Sequence, residues 1–150
     1  MTDPTRDLLP EGLEDRLPPS AAAAARVERA ALAAMDLYGY DLVRPPLIEF
    51  EKSMAERMDG FATRRMFRFV DPKSLRTLAL RADMTVQVGR IAATGLAAAP
   101  RPLRLCYAGQ VARIAGDQLD PRRESLQVGA ELVGSDTAAE IGRASCRERV

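Results

Sequence analysis

The chain has 150 residues, with 22 Lys and Arg against 21 Asp and Glu, two cysteines and no histidine or tryptophan. This length suits one domain, and 47% hydrophobic with 29% charged residues excludes wholesale disorder. A formal net charge of +1 gives no broad basic surface for nucleic acid, and no apolar run approaches the roughly 20 residues of a membrane span. Without histidine, imidazole chemistry is excluded from this chain. We therefore predict a cytoplasmic domain without a metal or cofactor and without a membrane or nucleic-acid partner.

The first predicted element is a helix over residues 20–38, which follows a proline-containing loop. Ser20 is predicted to be its N-cap, and Gly39 to end it in the left-handed conformation. Apolar residues recurring every three or four positions predict one narrow packed face on this helix: Val27, Ala31, Met35 and Tyr38.

The remaining elements predict an α+β fold, with a mainly antiparallel sheet flanked by helices. Prolines at 45 and 46 end the first strand, and a turn signal at 71–74 joins two strands into a hairpin. In chain order we predict a strand at 41–44, a charged helix at 49–58 closed by Asp59 and Gly60, strands at 65–70 and 75–81, a helix at 85–93, and strands at 103–113 and 124–132 joined by a polar loop.

The segment between the second hairpin strand and the next helix is the first of three polar candidates. Arg81, Asp83 and Thr85 fall within five residues there. Asp83 is a natural cap for the helix that follows, and capping is the commoner role for such a residue. A carboxylate at this strand end can also hold an ammonium group, so the two interpretations are compatible.

The other two candidates lie on the last pair of strands. An inward-facing Arg113 at a strand end needs an anion such as a carboxylate or phosphate, although a solvated arginine is the commoner outcome. Gln127 and Glu131 lie four residues apart, so in a strand they share a side, with Gly129 between them. That arrangement leaves room for a small planar ligand; the alternative is a strand with one exposed polar face.

The last residues change in character. Residues 136–140 begin a helix capped by Ser135 or Asp136, but residues 141–150 continue it without an apolar period and look like one reading frame of a sequencing adapter. We expect that residues 141–150 are not native. Removing them takes away three arginines and one glutamate, so the net charge falls from +1 to −1. Cys106 is then the single cysteine, and we expect it to be a small buried hydrophobic residue.

Five motifs occur in the order in which they occur in the class II histidyl-tRNA synthetase catalytic core: Leu9-Pro-Glu-Gly, Gly39-Tyr-Asp-Leu-Val-Arg-Pro-Pro, Leu80-Arg-Ala-Asp-Met-Thr, Arg104-Leu-Cys-Tyr-Ala-Gly and Gln127-Val-Gly-Ala-Glu-Leu. The chain resembles this family from about residue 9 to residue 140. Residues 1–140 are therefore expected to form the N-terminal part of a class II synthetase-like core, without the later strands and the third motif of that class.

The resemblance implies a site for free histidine. Asp83, with Thr85 beside it, would receive the α-amino group, and Gln127 would also contact that end of the ligand. Glu131 would accept a hydrogen bond from the imidazole. Arg113 matches the motif arginine that in synthetases meets the carboxylate or the α-phosphate. A charge-assisted hydrogen bond at each end of a zwitterion would fix its orientation.

Departures from the synthetase pattern resemble the family of ATP phosphoribosyltransferase regulatory subunits. Synthetases carry an acidic residue two positions after the motif arginine, where this chain has Ala115, and an aromatic residue where it has Ala112. They read Arg-Pro-Glu-Gly-Thr where this chain reads Arg81-Ala-Asp-Met-Thr. Loss of the acidic residue would weaken ATP placement, on which activation depends.

The resemblance thus implies a non-catalytic subunit rather than an enzyme. It would associate with the short-form catalytic ATP phosphoribosyltransferase, support the first step of histidine biosynthesis and transmit feedback inhibition by histidine. The first helix and the strand ending at Pro45 resemble the motif that builds the synthetase dimer interface, so self-association is also implied. One alternative is a histidyl-tRNA synthetase, which would aminoacylate tRNA with ATP; another is a synthetase-like binding module for an unrelated ligand.

Overall fold

The computed structural model describes residues 8–56, 64–115 and 121–135. The elements in these ranges are α1 (Ser20–Leu37), β1 (Asp41–Leu42), β2 (Ile48–Phe50), α2 (Glu51–Ala55), β3 (Arg68–Val70), β4 (Thr77–Leu80), α3 (Thr85–Ala93), β5 (Leu103–Ala112) and β6 (Glu124–Val133). Three predictions fall outside the described residues: the end of the charged helix at Asp59 and Gly60, the helix at 136–140 and the suspected tail at 141–150. No described helix combines the length and the hydropathy needed to cross a bilayer.

In the described part of the chain, two three-stranded sheets confirm the α+β prediction with mainly antiparallel pairing. One has the order β1-β5-β6, in which β1 runs parallel to β5 while β5 and β6 pair antiparallel over their full length. The other has the order β2-β4-β3 and is antiparallel throughout. The sheets meet where the N–H of Ala112 at the end of β5 donates to the carbonyl of Arg81, just after β4, at 2.9 Å.

The predicted first helix is confirmed, and its C-terminal stop is as expected. Gly39 has a φ of +72°, and its N–H donates to the carbonyl of Asp36 while that of Tyr40 donates to Met35. This is a Schellman motif, which satisfies carbonyls left free at a helix end. The predicted N-cap was wrong: Pro19 occupies that position, and the Ser20 hydroxyl donates back to the carbonyl of Leu17 at 2.8 Å. Ser20 is already the first residue of α1, so its side chain cannot act as the N-cap of that helix.

The predicted apolar stripe of α1 is only half correct. Ala31 and Met35 are half-buried, but Val27 is 42% exposed and Tyr38 is 74% exposed. The half-buried positions include Ala24 instead, so the small side chains of the alanine run face the sheet. Tyr38 follows the last helical residue, where the chain already turns away.

The segment after β1 is a strand and a short helix, where one helix from residue 49 to 58 was predicted. Glu49 and Phe50 pair with Ala79 and Leu78 of β4. The charged sequence favours a helix, but pairing with β4 makes residues 48–50 a strand. Local preference could not predict this, because strand formation also depends on a partner that is distant in the chain. The predicted β3–β4 hairpin is confirmed, and at its turn the Asp71 carboxylate accepts hydrogen bonds from Lys73 and Ser74.

The main core lies between α3 and β5. α3 has the bounds that the sequence predicted, and it packs against the sheet through a cluster of fully buried side chains: Met84, Val88, Ala92, Leu105, Tyr107 and Val111. A smaller cluster holds Met54, Met66, Ala79 and Ala82. Cys106 is buried as expected; burial raises the pKa of its thiol, so it stays protonated at neutral pH.

Candidate functional site

The β5–β6 register places the predicted polar residues of β6 under α3. Opposed residues of an antiparallel pair point to the same face of the sheet. Gly109 lies opposite Gln127, Tyr107 opposite Gly129, and Leu105 opposite Glu131. Since Leu105 and Tyr107 pack against α3, Gln127 and Glu131 lie on that same face.

Gln127 connects β6 to the N-terminus of α3. Its side-chain oxygen accepts a hydrogen bond from the N–H of Met84 at 2.8 Å, and its nitrogen donates to Asp83 Oδ2 at 3.2 Å. The other Asp83 oxygen accepts from the N–H of Thr85 at 2.8 Å. Asp83 thus satisfies a free N–H of the first turn, as the capping interpretation predicted, although Met84 holds the N-cap position itself.

A second chain of hydrogen bonds joins Thr85 to Glu131 through Tyr107. The Tyr107 hydroxyl lies 3.0 Å from Thr85 Oγ1 and 3.0 Å from Glu131 Oε1, to which it donates. Tyr107 is only 2% exposed, and burial raises the pKa of its phenol far above the ordinary value. The structure therefore brings Asp83, Thr85, Gln127 and Glu131 together.

The open space that the sequence predicted between Gln127 and Glu131 is occupied by the Tyr107 ring. A Cβ atom at Gly129 would lie 2.5 Å from the Tyr107 hydroxyl and 2.6 Å from its Cζ. Gly129 therefore accommodates the Tyr107 ring, and a ligand cannot lie directly over Gly129. Sequence reasoning missed Tyr107 because it stands in an apolar run; only the register, with a glycine opposite a tyrosine, identifies it.

Arg81 is a buried cation beside this cluster. It is 7% exposed; its Nε donates to the carbonyl of Gln110 at 2.6 Å and its Nη1 to that of Pro45 at 2.9 Å. Its Nη2 lies over Gly109, where a Cβ atom would overlap it. The guanidinium thereby ties the loop that carries Asp83 to β5, and desolvation lowers its pKa.

Arg113 lies at the other end of the strand pair. Its N–H donates to the carbonyl of Arg123 at 2.7 Å, just beyond the last residue of β5. At about 3.3 Å per residue, it stands about 13 Å along the strand from Gly109, which faces Gln127, and about 26 Å from Leu105, which faces Glu131. Arg113 therefore lies far along the strand from Gln127 and Glu131, but the neighbouring Ala112 is bonded to Arg81, two residues before Asp83.

The cluster is rich in hydrogen-bond acceptors, so it suits a ligand that carries N–H donors. Within residues 8–56, 64–115 and 121–135, no three acidic or thiol side chains converge as a metal site would require. A cleft of about 570 Å³ lies elsewhere in the molecule, along residues 9–17, and none of the five predicted site residues lines it.

The fold and these residues define a class II aminoacyl-tRNA synthetase-like core. The family model for histidyl-tRNA synthetase matches residues 12–142, so the chain belongs to the histidyl-tRNA synthetase family. An apo histidyl-tRNA synthetase from S. aureus shares the fold with a TM-score of 0.70 at 23% identity, over 88% of this chain and 30% of that one.

Within the family, the chain is similar to regulatory subunits. It is 53% identical, over 133 residues, to the ATP phosphoribosyltransferase regulatory subunit of Paramagnetospirillum magneticum; the match covers 89% of this chain and 35% of that protein. The structure of an ATP phosphoribosyltransferase regulatory subunit/histidyl-tRNA synthetase from Bacillus halodurans matches with a TM-score of 0.79 at 30% identity, over 95% of this chain and 36% of that one. The chain spans about a third of the length of these relatives.

Proposed function

We propose that the chain is part of a non-catalytic regulatory subunit of ATP phosphoribosyltransferase, which acts in the first step of histidine biosynthesis. The observation that carries this proposal is the 53% identity with a relative of that name over most of the chain. Ala115, two positions after Arg113, supports a protein that does not activate an amino acid with ATP, because synthetases of this family carry an acidic residue there.

The proposed effector is free histidine, bound by Asp83, Thr85, Gln127 and Glu131. The convergence of these side chains on one face of the sheet supports this part of the proposal. Asp83 and Thr85 would receive the α-ammonium group and Glu131 the imidazole N–H. Arg113 would meet the carboxylate; its neighbour Ala112 is bonded to Arg81, at the start of the segment that carries Asp83.

The proposed partner is the short-form catalytic ATP phosphoribosyltransferase, with which the subunit would form a cytoplasmic hetero-oligomer. Histidine binding would be coupled to catalysis in that partner, and such coupling is typically about 1–3 kcal/mol. Self-association through α1 and β1 is supported by exposed apolar side chains, among them Val27, Leu37 and Leu42.

Reconstitution with the catalytic subunit tests the proposal. The longest form of the chain that its gene encodes should raise phosphoribosyl transfer to ATP by the short-form enzyme, and histidine should suppress that activity. Glu131→Ala should retain the stimulation but lose the suppression. Absence of stimulation at saturating subunit would refute the regulatory role.

Histidyl-tRNA synthetase is the second candidate, because the matching family model carries that description. It predicts ATP–pyrophosphate exchange that depends on histidine, with transfer of histidine to tRNA. The regulatory proposal predicts neither, so the same purified protein distinguishes the two functions in one exchange assay.

A further inference from the structure

We infer that Tyr107 is a positioning residue that fixes the hydroxyl proton of Thr85, so that Thr85 and Glu131 both present hydrogen-bond acceptors to a ligand. The choice of ligand rests on the proposed function. The hydrogen-bond chain itself is a property of the free protein and can be tested without any ligand.

The direction of the chain follows from counting protons. An ionised carboxylate only accepts hydrogen bonds, so the phenol must donate its single proton to Glu131. The phenol oxygen then has only lone pairs left for Thr85 Oγ1, 3.0 Å away. Thr85 must therefore donate its own single proton to Tyr107, and it has no proton left for a ligand.

The fold fixes the position of the Tyr107 hydroxyl between Thr85 and Glu131. Its ring belongs to the buried cluster under α3, and its hydroxyl lies over Gly129, where no side chain competes for the space. Burial also raises the pKa of the phenol, so the group remains a donor across the physiological pH range. Tyr107 itself needs no contact with the ligand to act in this way.

The consequence is selectivity for a donor-rich ligand. Asp83 and Glu131 are acceptors when ionised, and Tyr107 makes the Thr85 hydroxyl a third acceptor. A ligand must therefore bring N–H donors to both ends of the cluster. An amino acid with a protonated α-amine and an N–H-bearing side chain has this chemistry, whereas one with an aliphatic side chain would leave Glu131 without a ligand donor.

A double-mutant cycle between Tyr107→Phe and Thr85→Val in the longest form of the chain tests the inference. Both changes preserve shape while they remove one hydroxyl. Thr85→Ser keeps the hydroxyl and serves as the conservative variant, and Tyr40→Phe is the control at another buried tyrosine. The readouts are the urea midpoint of the ligand-free protein and calorimetric titration with L-histidine.

In the ligand-free protein, the two changes should lower the urea midpoint by less together than the sum of their separate effects, because each breaks the same chain. Thr85→Ser should keep the original midpoint. Tyr107→Phe should weaken histidine binding by about tenfold or more, since hydrogen bonds to a charged group are involved, while Tyr40→Phe should not.

Additive midpoint shifts would overturn the inference, and so would histidine binding by Tyr107→Phe that equals that of the original protein. If the original protein shows the coupling but binds no histidine, the inferred hydrogen-bond chain stands and the proposed effector is refuted. The two ideas therefore fail on different measurements.

Discussion

α1 and α3 contact the same sheet in opposite ways. α1 has eighteen residues and none of them is buried. α3 has only nine, but it buries Gln87, Val88 and Ala92, is bonded to β6 through Gln127, and forms an ion pair from Arg90 to Glu49 of β2. Tertiary contacts rather than helix length decide which helix carries the site.

This contrast gives the two helices different expected functions. The α3 side of the sheet holds the candidate site, where hydrogen bonds within the chain link Asp83 to Gln127 and Tyr107 to Glu131, although the buried Oε1 of Gln87 has no partner among the described residues. The α1 side leaves apolar side chains such as Leu37, 87% exposed, and Tyr38 without cover inside the described chain. Mutations near α3 should therefore affect folding and ligand binding, whereas mutations on α1 should affect association.

The largest expected effect comes from Gly109→Ala. The new Cβ would overlap Arg81 Nη2, so the buried guanidinium must move and lose its bonds to Pro45 and Gln110. We expect the free energy of unfolding to fall by about 3 kcal/mol, measured by urea denaturation.

Gly89→Ala is the matched control for Gly109→Ala. A Cβ at Gly89 would meet no atom within 4 Å, and the residue lies in α3. Here the same substitution should stabilise the protein by about 0.5–1 kcal/mol through helix propensity. Equal effects at the two glycines would contradict the assigned position of Arg81.

Gln127→Glu should destabilise the α3 side by about 1–2 kcal/mol at neutral pH, because it places a second carboxylate against Asp83. Repulsion makes the introduced carboxyl group bind a proton more readily in the folded state than in the unfolded state. The loss is therefore present at neutral pH and disappears as the pH falls through the raised folded-state value. Unfolding curves at pH 7 and pH 4 measure it; a loss that persists at pH 4 would argue against charge repulsion.

On the α1 side, Val27→Glu should change the free energy of unfolding by less than about 0.5 kcal/mol, because the side chain is already 42% exposed. If α1 takes part in the proposed self-association, sedimentation should show a weaker assembly. Ala22→Glu adds the same single negative charge at another exposed position of α1 and serves as the control. An undiminished assembly in Val27→Glu would remove α1 from the interface.

The smallest effect concerns a turn remote from both helices. Hydrogen bonds from the Ser74 hydroxyl and the Lys73 N–H hold the pKa of the Asp71 carboxyl below its usual value. Ser74→Ala should raise that pKa towards the usual value, as measured by NMR titration. The associated stability is present above the unfolded-state pKa and is lost as the pH falls through the lower folded-state pKa. An unchanged pKa would show that the serine hydroxyl does not set it.

The sequence predicted elements whose signals are local. α3 follows Asp83, a residue typical of helix starts, and its predicted bounds at 85–93 were correct. The helix stop at Gly39 and the turn at Asp71 depend on single residues with specific backbone preferences, and both were confirmed.

Features that depend on distant parts of the chain escaped sequence reasoning. β2 is a strand because it pairs with β4, about thirty residues later. The prediction of the packed face of α1 was partly wrong, because small alanines, rather than the larger Val27, approach the sheet. Tyr107 could not be assigned to the site because its role depends on which β6 residue stands opposite it. The distance of Arg113 along β5 from the residues opposite Gln127 and Glu131 likewise requires the register.

Calorimetric titration with L-histidine tests the central claim most directly, namely that Asp83, Thr85, Gln127 and Glu131 form a site for a free amino acid. The longest form of the chain should bind one histidine per site, and Glu131→Ala should weaken binding by about tenfold or more through loss of a charged acceptor. Glu124→Ala, at the exposed far end of β6, should bind like the original protein. Identical affinities for Glu131→Ala and the original protein would contradict the account.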